Sequence, residues 1–194
     1  MKMYLSVLLV LSFFPGLLCA VVIDFEDLTP GQNISGTNYA GLYWEEGNAG
    51  YIGNQGYWSF PSRGSAYPHS GTHSLINAWG CTLIGFQFPE PVNVMGAYFA
   101  AQGLEPWTTA IRAHGYLDGV QISTTDWFND IDEFPDWFAM NLFNVDRVVI
   151  ESVPRDDGIG WYGMDDLTFV IPEPATLSLV AAGMALLKRR SCFR

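Results

Sequence analysis

Lysine is absent from the long middle of this 194-residue chain. Both lysines, Lys2 and Lys188, sit near the ends, with Arg189, Arg190 and Arg194. Between residues 21 and 171 only Arg63, Arg112, Arg147 and Arg155 face nineteen acids, a balance of −15. That deficit excludes a generic nucleic-acid surface, which needs clustered Lys and Arg. It also argues against docking on anionic lipid headgroups. Cysteine is scarce too: Cys19 and Cys192 lie in the end segments, so Cys81 stands alone in the middle. No internal disulfide is expected there, and Cys81 reads as a small buried hydrophobe. Helical periodicity is missing over any helix-length stretch. Gly-x-Ser-x-Gly, a phosphate loop, a dinucleotide fingerprint and a zinc-protease helix are all missing. His69 and His73 are spaced like a helical metal pair, but Pro68, Ser70 and Gly71 forbid the helix. What remains is rich in rings: 15% of the chain is aromatic and 49% hydrophobic. About 150 residues of that kind suffice for one domain with its own core.

The two ends read as addresses. Residues 1–20 combine Lys2, the apolar run Leu5–Leu11, a Pro15-Gly16 break and a small residue at Ala20. That is the pattern of a secretory signal peptide, to be removed by signal peptidase. Residues 172–194 begin Pro172-Glu173-Pro174, continue through the apolar run Leu177–Leu187 and meet Lys188-Arg189-Arg190. The basic cluster would stay cytoplasmic under the positive-inside rule. This tail resembles the PEP-CTERM sorting signal of Gram-negative bacteria. The resemblance implies a short apolar sorting helix, transient anchorage in the inner membrane, recognition by an exosortase, and delivery to the cell surface or the extracellular polysaccharide. It covers only about residues 171–190 and departs from the pattern in the extension Ser191-Cys192-Phe193-Arg194. Any membrane contact then runs through the terminal segments alone.

Residues 21–171 read as one all-β domain. Short alternating or apolar runs are punctuated by Gly, Pro, Asn and Asp. Val21–Leu28 alternates, with Ile23 and Phe25 on one face and Asp24 and Glu26 on the other. Cys81–Phe88 and Val92–Ala101 form two strands with Pro89-Glu90-Pro91 turning the chain between them. Thr108–Leu117 and Val120–Asp126 flank Asp118-Gly119, the two-residue hairpin signal. Phe138–Leu142 reads as a short edge, Arg147–Val153 as a core strand and Trp161–Val170 as the last strand. The first and last strands are expected to pair, which removes two open edges. About eight strands without intervening helices fit a jelly-roll-type β-sandwich.

Three local patterns resemble those of carbohydrate-binding-module-like jelly rolls: Asp24-Phe25-Glu26, Ser70-Gly71-Thr72-His73-Ser74-Leu75 and Gly163-Met164-Asp165-Asp166-Leu167. That resemblance implies a structural calcium ion held by Asp24 or Glu26 with Asp165 or Asp166, helped by carbonyls of the Ser70–His73 turn. Alternation from Leu167 and Phe169 puts Asp165 on the apolar face and Asp166 opposite. A sugar site pairs a flat ring with hydrogen-bonding side chains, and two loops offer this. One holds Tyr57 and Trp58 with Asn54 and Gln55, the other Trp127, Asn129 and Trp137. Asp130-Ile131-Asp132-Glu133 superficially resembles a retaining-glycosidase motif but starts with Asp where that motif has Glu. The sequence therefore points to a non-catalytic glycan-binding or matrix domain, with extracellular polysaccharide as its partner and no catalytic residues. A glycan lyase or hydrolase on the same fold is the rival, and it would need convergent groups in a cleft. A purely structural matrix protein is the third reading.

Overall fold

The computed structural model describes residues 20–46, the backbone of 51–54, and residues 66–77, 80–103, 107–129, 131–155 and 160–172. The expected signal peptide before Ala20, the sorting residues Glu173, Pro174, Lys188, Arg189 and Arg190, and the sorting helix lie outside the described residues. Ala20–Pro172 forms one compact unit. Its described residues are all-β, eleven strands without an α-helix.

Two of the strands are long, β6 (Leu83–Ala101) and β10 (Asp136–Pro154). They pair antiparallel, and their ladder breaks between Ala139 and Leu142, Leu142 and Val145, and Val145 and Arg147. These breaks separate two halves. In the first half, the later part of β6 lies between the start of β10 and β11 (Tyr162–Val170). β11 also pairs with β1 (Ala20–Ile23) and β5 (His73–Ile76), and β5 pairs with β4 (Tyr51–Asn54). In the second half, the start of β6 lies between the end of β10 and β3 (Leu42–Trp44), which pairs with β2 (Thr37–Tyr39). There β10 also pairs with β7 (Thr108–Leu117), which carries β8 (Val120–Thr124) and β9 (Phe128–Asn129).

Inward side chains of both halves share one core. Ile84, Phe86, Ile111, Val148 and Ile150 come from the second, and Val94, Phe99, Phe138, Met164 and Leu167 from the first. Phe88 meets Phe169 edge-on at 5.0 Å, and Phe25 meets the fully buried Trp44 at 5.8 Å. Edge-to-face pairs of this kind add to the area they bury. The outward faces of the two halves turn away from this core.

The expected pairing of first and last strands is present, as Ile23 faces Leu167 and Ala20 faces Val170. The Asp118-Gly119 turn is present too, with φ of 50° and 77° at its two positions, as a type I′ hairpin requires. Other expectations change. Pro89-Glu90-Pro91 does not reverse the chain; β6 runs straight through it. The ladder with β10 jumps from Val92 to Gln87, so neither proline occupies a position that needs an N–H in it. Phe138–Leu142 and Arg147–Val153 are parts of the one strand β10, and only its first part is an edge, paired with β6 alone. Asn141 and Asn144, at φ of 47° and 56°, make the irregularities between the parts. β1 ends at Ile23 and Phe25 turns inward through a φ of 59°. Cys81 is half-buried rather than buried.

Glu45 ties β3 to the sheet. It lies across Gly85, where a Cβ would overlap its carboxylate. Arg147 donates to it from Nε and from Nη2, the latter at 2.9 Å, and Gln87 donates at 3.1 Å. The Arg147 bonds hold this carboxyl below its usual range, against the effect of burial. Glu45→Gln should cost about 1 kcal/mol at pH 7. A carboxyl lowered by folding stabilises the protein above its unfolded value and loses that effect as pH falls. The gap between wild type and variant in urea unfolding should therefore close toward acid pH. A gap unchanged with pH would refute the account.

Candidate functional site

The site is built on β11. Alternation from Leu167 puts Asp165 inward, but Met164 and Leu167 both enter the core and Asp165 faces outward, opposite Tyr98. Asp166 sits in the left-handed region at φ 48°, and the ladder with β6 shifts between Asp165 and Thr168. One extra residue at this bulge resets the parity. Asp165 is nevertheless only 2% exposed. The segment before β5 reaches it: Oδ2 accepts the N–H groups of His69 at 2.8 Å and Ser70 at 2.9 Å, and Oδ1 accepts that of Asp166 at 2.7 Å. Burial still pushes the Asp165 carboxyl up to about 6, aided by the neighbouring Asp166 and opposed by the N–H bonds.

Asp166 and Glu26 fix the rest of the segment. Asp166 lies 2.6 Å from His69 Nδ1 and accepts the Ser70 hydroxyl at 2.9 Å. Glu26 Oε1 accepts the N–H groups of Thr72 at 2.7 Å and His73 at 2.6 Å. Burial works to raise the Glu26 carboxyl, but the His73 and Thr72 N–H bonds and the His73 charge outweigh it and lower it. Gly71 is required between them: its φ is 53°, and a Cβ there would overlap the Glu26 carboxyl group.

The structure thus brings Glu26, Asp165 and Asp166 to one segment. Asp24 does not join them; its Oδ1 accepts the N–H of Glu26 at 3.2 Å. The turn expected to offer carbonyls to calcium offers N–H groups to these acids instead. Calcium takes six to eight oxygen ligands. Among the described residues no three His, Cys, Asp or Glu side chains gather to hold a metal ion. As arranged, the set does not fit calcium unless the ion displaces those N–H donors.

The pinned segment presents His69. Its ring stacks on Tyr98 with centroids 3.4 Å apart and planes within 6°. Tyr98 meets the edge of its cross-strand neighbour Trp137 at 5.1 Å. Trp137 is 39% exposed and lies close over Gly96, where a Cβ would stand 2.7 Å from Cζ2. The same two segments carry a second stack, Tyr67 on Phe134 at 5.5 Å and 8°, tied by the Tyr67 N–H to the Glu133 carbonyl at 3.0 Å. Phe134 is 59% exposed. The result is an exposed aromatic platform with Asp166 bonded to His69.

Of the expected binding residues, Trp137 is part of this platform, against the edge of Tyr98. Trp127 and Asn129 are on the second half, beside Arg112, so the expected trio is divided. Tyr57, Trp58 and Asp130 lie outside the described residues, and of Asn54 only the backbone is described. His69, Tyr98, Tyr67 and Phe134 carry no sequence signal for a binding site; what groups them is the register that sets Tyr98 beside Trp137 and the hydrogen bonds that hold the segments of His69, Tyr67 and Phe134 against it.

No family model matches this chain, and no curated protein matches it. Among solved structures it is similar to TmCBM61, determined in complex with beta-1,4-galactotriose. The identity is 12%, the TM-score 0.34, and the match covers 75% of this chain and 100% of that one. A likeness that distant assigns neither fold nor function.

Proposed function

We propose that the domain is a non-catalytic, jelly-roll-type module that binds a neutral glycan on the aromatic platform. The observation that carries this is the exposed, sheet-supported stack of His69, Tyr98 and Trp137. Sugars present flat C–H faces and hydroxyls, so they suit a rigid apolar surface with polar groups at its rim. The balance of −15 in residues 21–171 repels polyanions, which favours a neutral chain. We further propose that the protein is exported and sorted by an exosortase, and works at the cell surface or in the extracellular polysaccharide. The terminal motifs of the sequence support that address.

The test is co-sedimentation of the purified protein with insoluble cellulose, xylan and galactan and with exopolysaccharide preparations. Retention on at least one is expected, with Trp137→Ala lowering the amount retained. Retention on none by a folded protein would move the reading to a structural matrix component. Sugar release from any would move it to an enzyme. Calcium at Glu26, Asp165 and Asp166 stays a proposal with its own check, thermal unfolding in calcium and in EDTA. A rise of Tm in calcium that Glu26→Gln abolishes would place the ion; equal Tm values would leave the N–H bonds as the only clamp.

A further inference from the structure

The other outer face carries a second supported ring. Trp127 lies between β8 and β9, and the Arg112 guanidinium carbon stands 4.2 Å from its ring centroid. Arg112 is itself fixed. Its Nε donates to Glu151 Oε2 at 2.6 Å, and the same oxygen is 2.8 Å from His114 Nε2. The Arg112 bond, helped by His114 and opposed by burial, keeps the Glu151 carboxyl below its usual range. Arg112 and Glu151 are direct cross-strand partners on β7 and β10, so this support is part of the sheet.

The guanidinium covers one ring face of the half-buried Trp127. Asn129 follows two positions later and donates from Nδ2 to the Trp127 carbonyl at 3.2 Å. Among the described residues the Arg112 terminal amino groups and Asn129 Oδ1 have no partner. A flat ring, free N–H donors and a free amide oxygen are thus grouped on the second half, and no described contact joins them to the platform around Trp137.

We infer that Trp127, with Arg112 and Asn129, forms a second subsite for a neutral hexose unit, making the domain bivalent. The inference rests on the glycan-binding reading. The two subsites lie on different halves of the sheet, with no described contact between them, so each can engage its own chain. The domain then acts as a cross-linker of polysaccharide. An anionic sugar is disfavoured, because Glu151 already pairs with Arg112 and the domain as a whole is strongly acidic.

The experiment uses the full-length protein with soluble hydroxyethylcellulose, xyloglucan and galactan. Calorimetry counts sites on short oligosaccharides of the same linkage, and solution viscosity reads cross-linking. Wild type should show two sites and raise viscosity. Trp127→Ala should show one site of unchanged affinity and leave viscosity at the level of the polysaccharide alone. Trp137→Ala should do the same through the other site, and the double variant should bind nothing. Arg112→Gln is the second variant should Trp127→Ala not fold, with at least a fivefold loss at one site expected. Two sites of unchanged affinity in folded Trp127→Ala or Arg112→Gln would overturn the inference and leave the glycan reading standing. No binding by wild type to any of the three would overturn both.

Discussion

Gly96→Ala is expected to destabilise the domain by about 3 kcal/mol, the upper part of the range for overpacking a filled site. Gly96 lies in β6 between Ala139 of β10 and Thr168 of β11. A Cβ there would overlap the Phe138 carbonyl oxygen and stand 2.7 Å from Trp137 Cζ2. The first obstacle is backbone, in a ladder, with no rotamer to escape through. The second is the ring on which the proposed glycan stacks. The variant should therefore lose Tm by roughly 6–12 °C, using the usual entropy for a domain of this size. Even its folded fraction should bind glycan more weakly than wild type. Gly119 makes the contrast. A Cβ added there would meet nothing within 4 Å, but φ is 77°, so Gly119→Ala should cost only about 1–2 kcal/mol from the left-handed backbone and leave binding intact. A Gly96→Ala protein melting within about two degrees of wild type, against the entropy scale just used, would show that β6 and β10 yield far more easily than their close approach suggests.

The same position shows what the sequence could not reveal. The all-β class, the Asp118-Gly119 hairpin and the pairing of β1 with β11 all follow from local chemistry: alternation, a turn that needs positive φ, and edges that need covering. The platform depends on register. Tyr98 meets Trp137 only because β6 and β10 align in one frame before Ala139, and bulges elsewhere along the pair alter it. Nothing within either strand announces that frame. Parity alone puts Asp165 inward for the same reason, since the shift at Asp166 is a backbone event rather than a composition. His69 lacks a helical metal partner, yet a non-helical, bent segment is what lets it lie flat on Tyr98. Trp127 and Trp137 are close in the chain, but the stretch between them crosses from one half of the sheet to the other.

Asp165→Ala should release the segment that carries His69. The substitution removes the acceptor for three N–H groups, those of His69, Ser70 and Asp166, and puts none in its place. Unsatisfied buried donors cost about 1–3 kcal/mol each where they stay dry, and water entering as the segment loosens offsets part of that. A net loss of about 3 kcal/mol is expected near pH 4. The pH dependence then identifies the cause. The Asp165 carboxyl is pushed up to about 6 by burial, from an ordinary value of 3.8. Between those values the folded state holds a proton that the unfolded state has released, so wild-type stability from this group falls as pH rises through the window. Alanine has no such term. The difference between wild type and variant should be largest near pH 4 and narrow by pH 7, when both are unfolded in urea at each pH. Glu26 acts in the opposite sense, but it is present in both proteins and largely cancels in the difference. A difference that widens toward pH 7 would mean the three N–H bonds outweigh burial and hold Asp165 ionised, as the His73 and Thr72 N–H bonds with the His73 charge do for Glu26. In that case the clamp on the platform would be strengthened, not strained, at neutral pH.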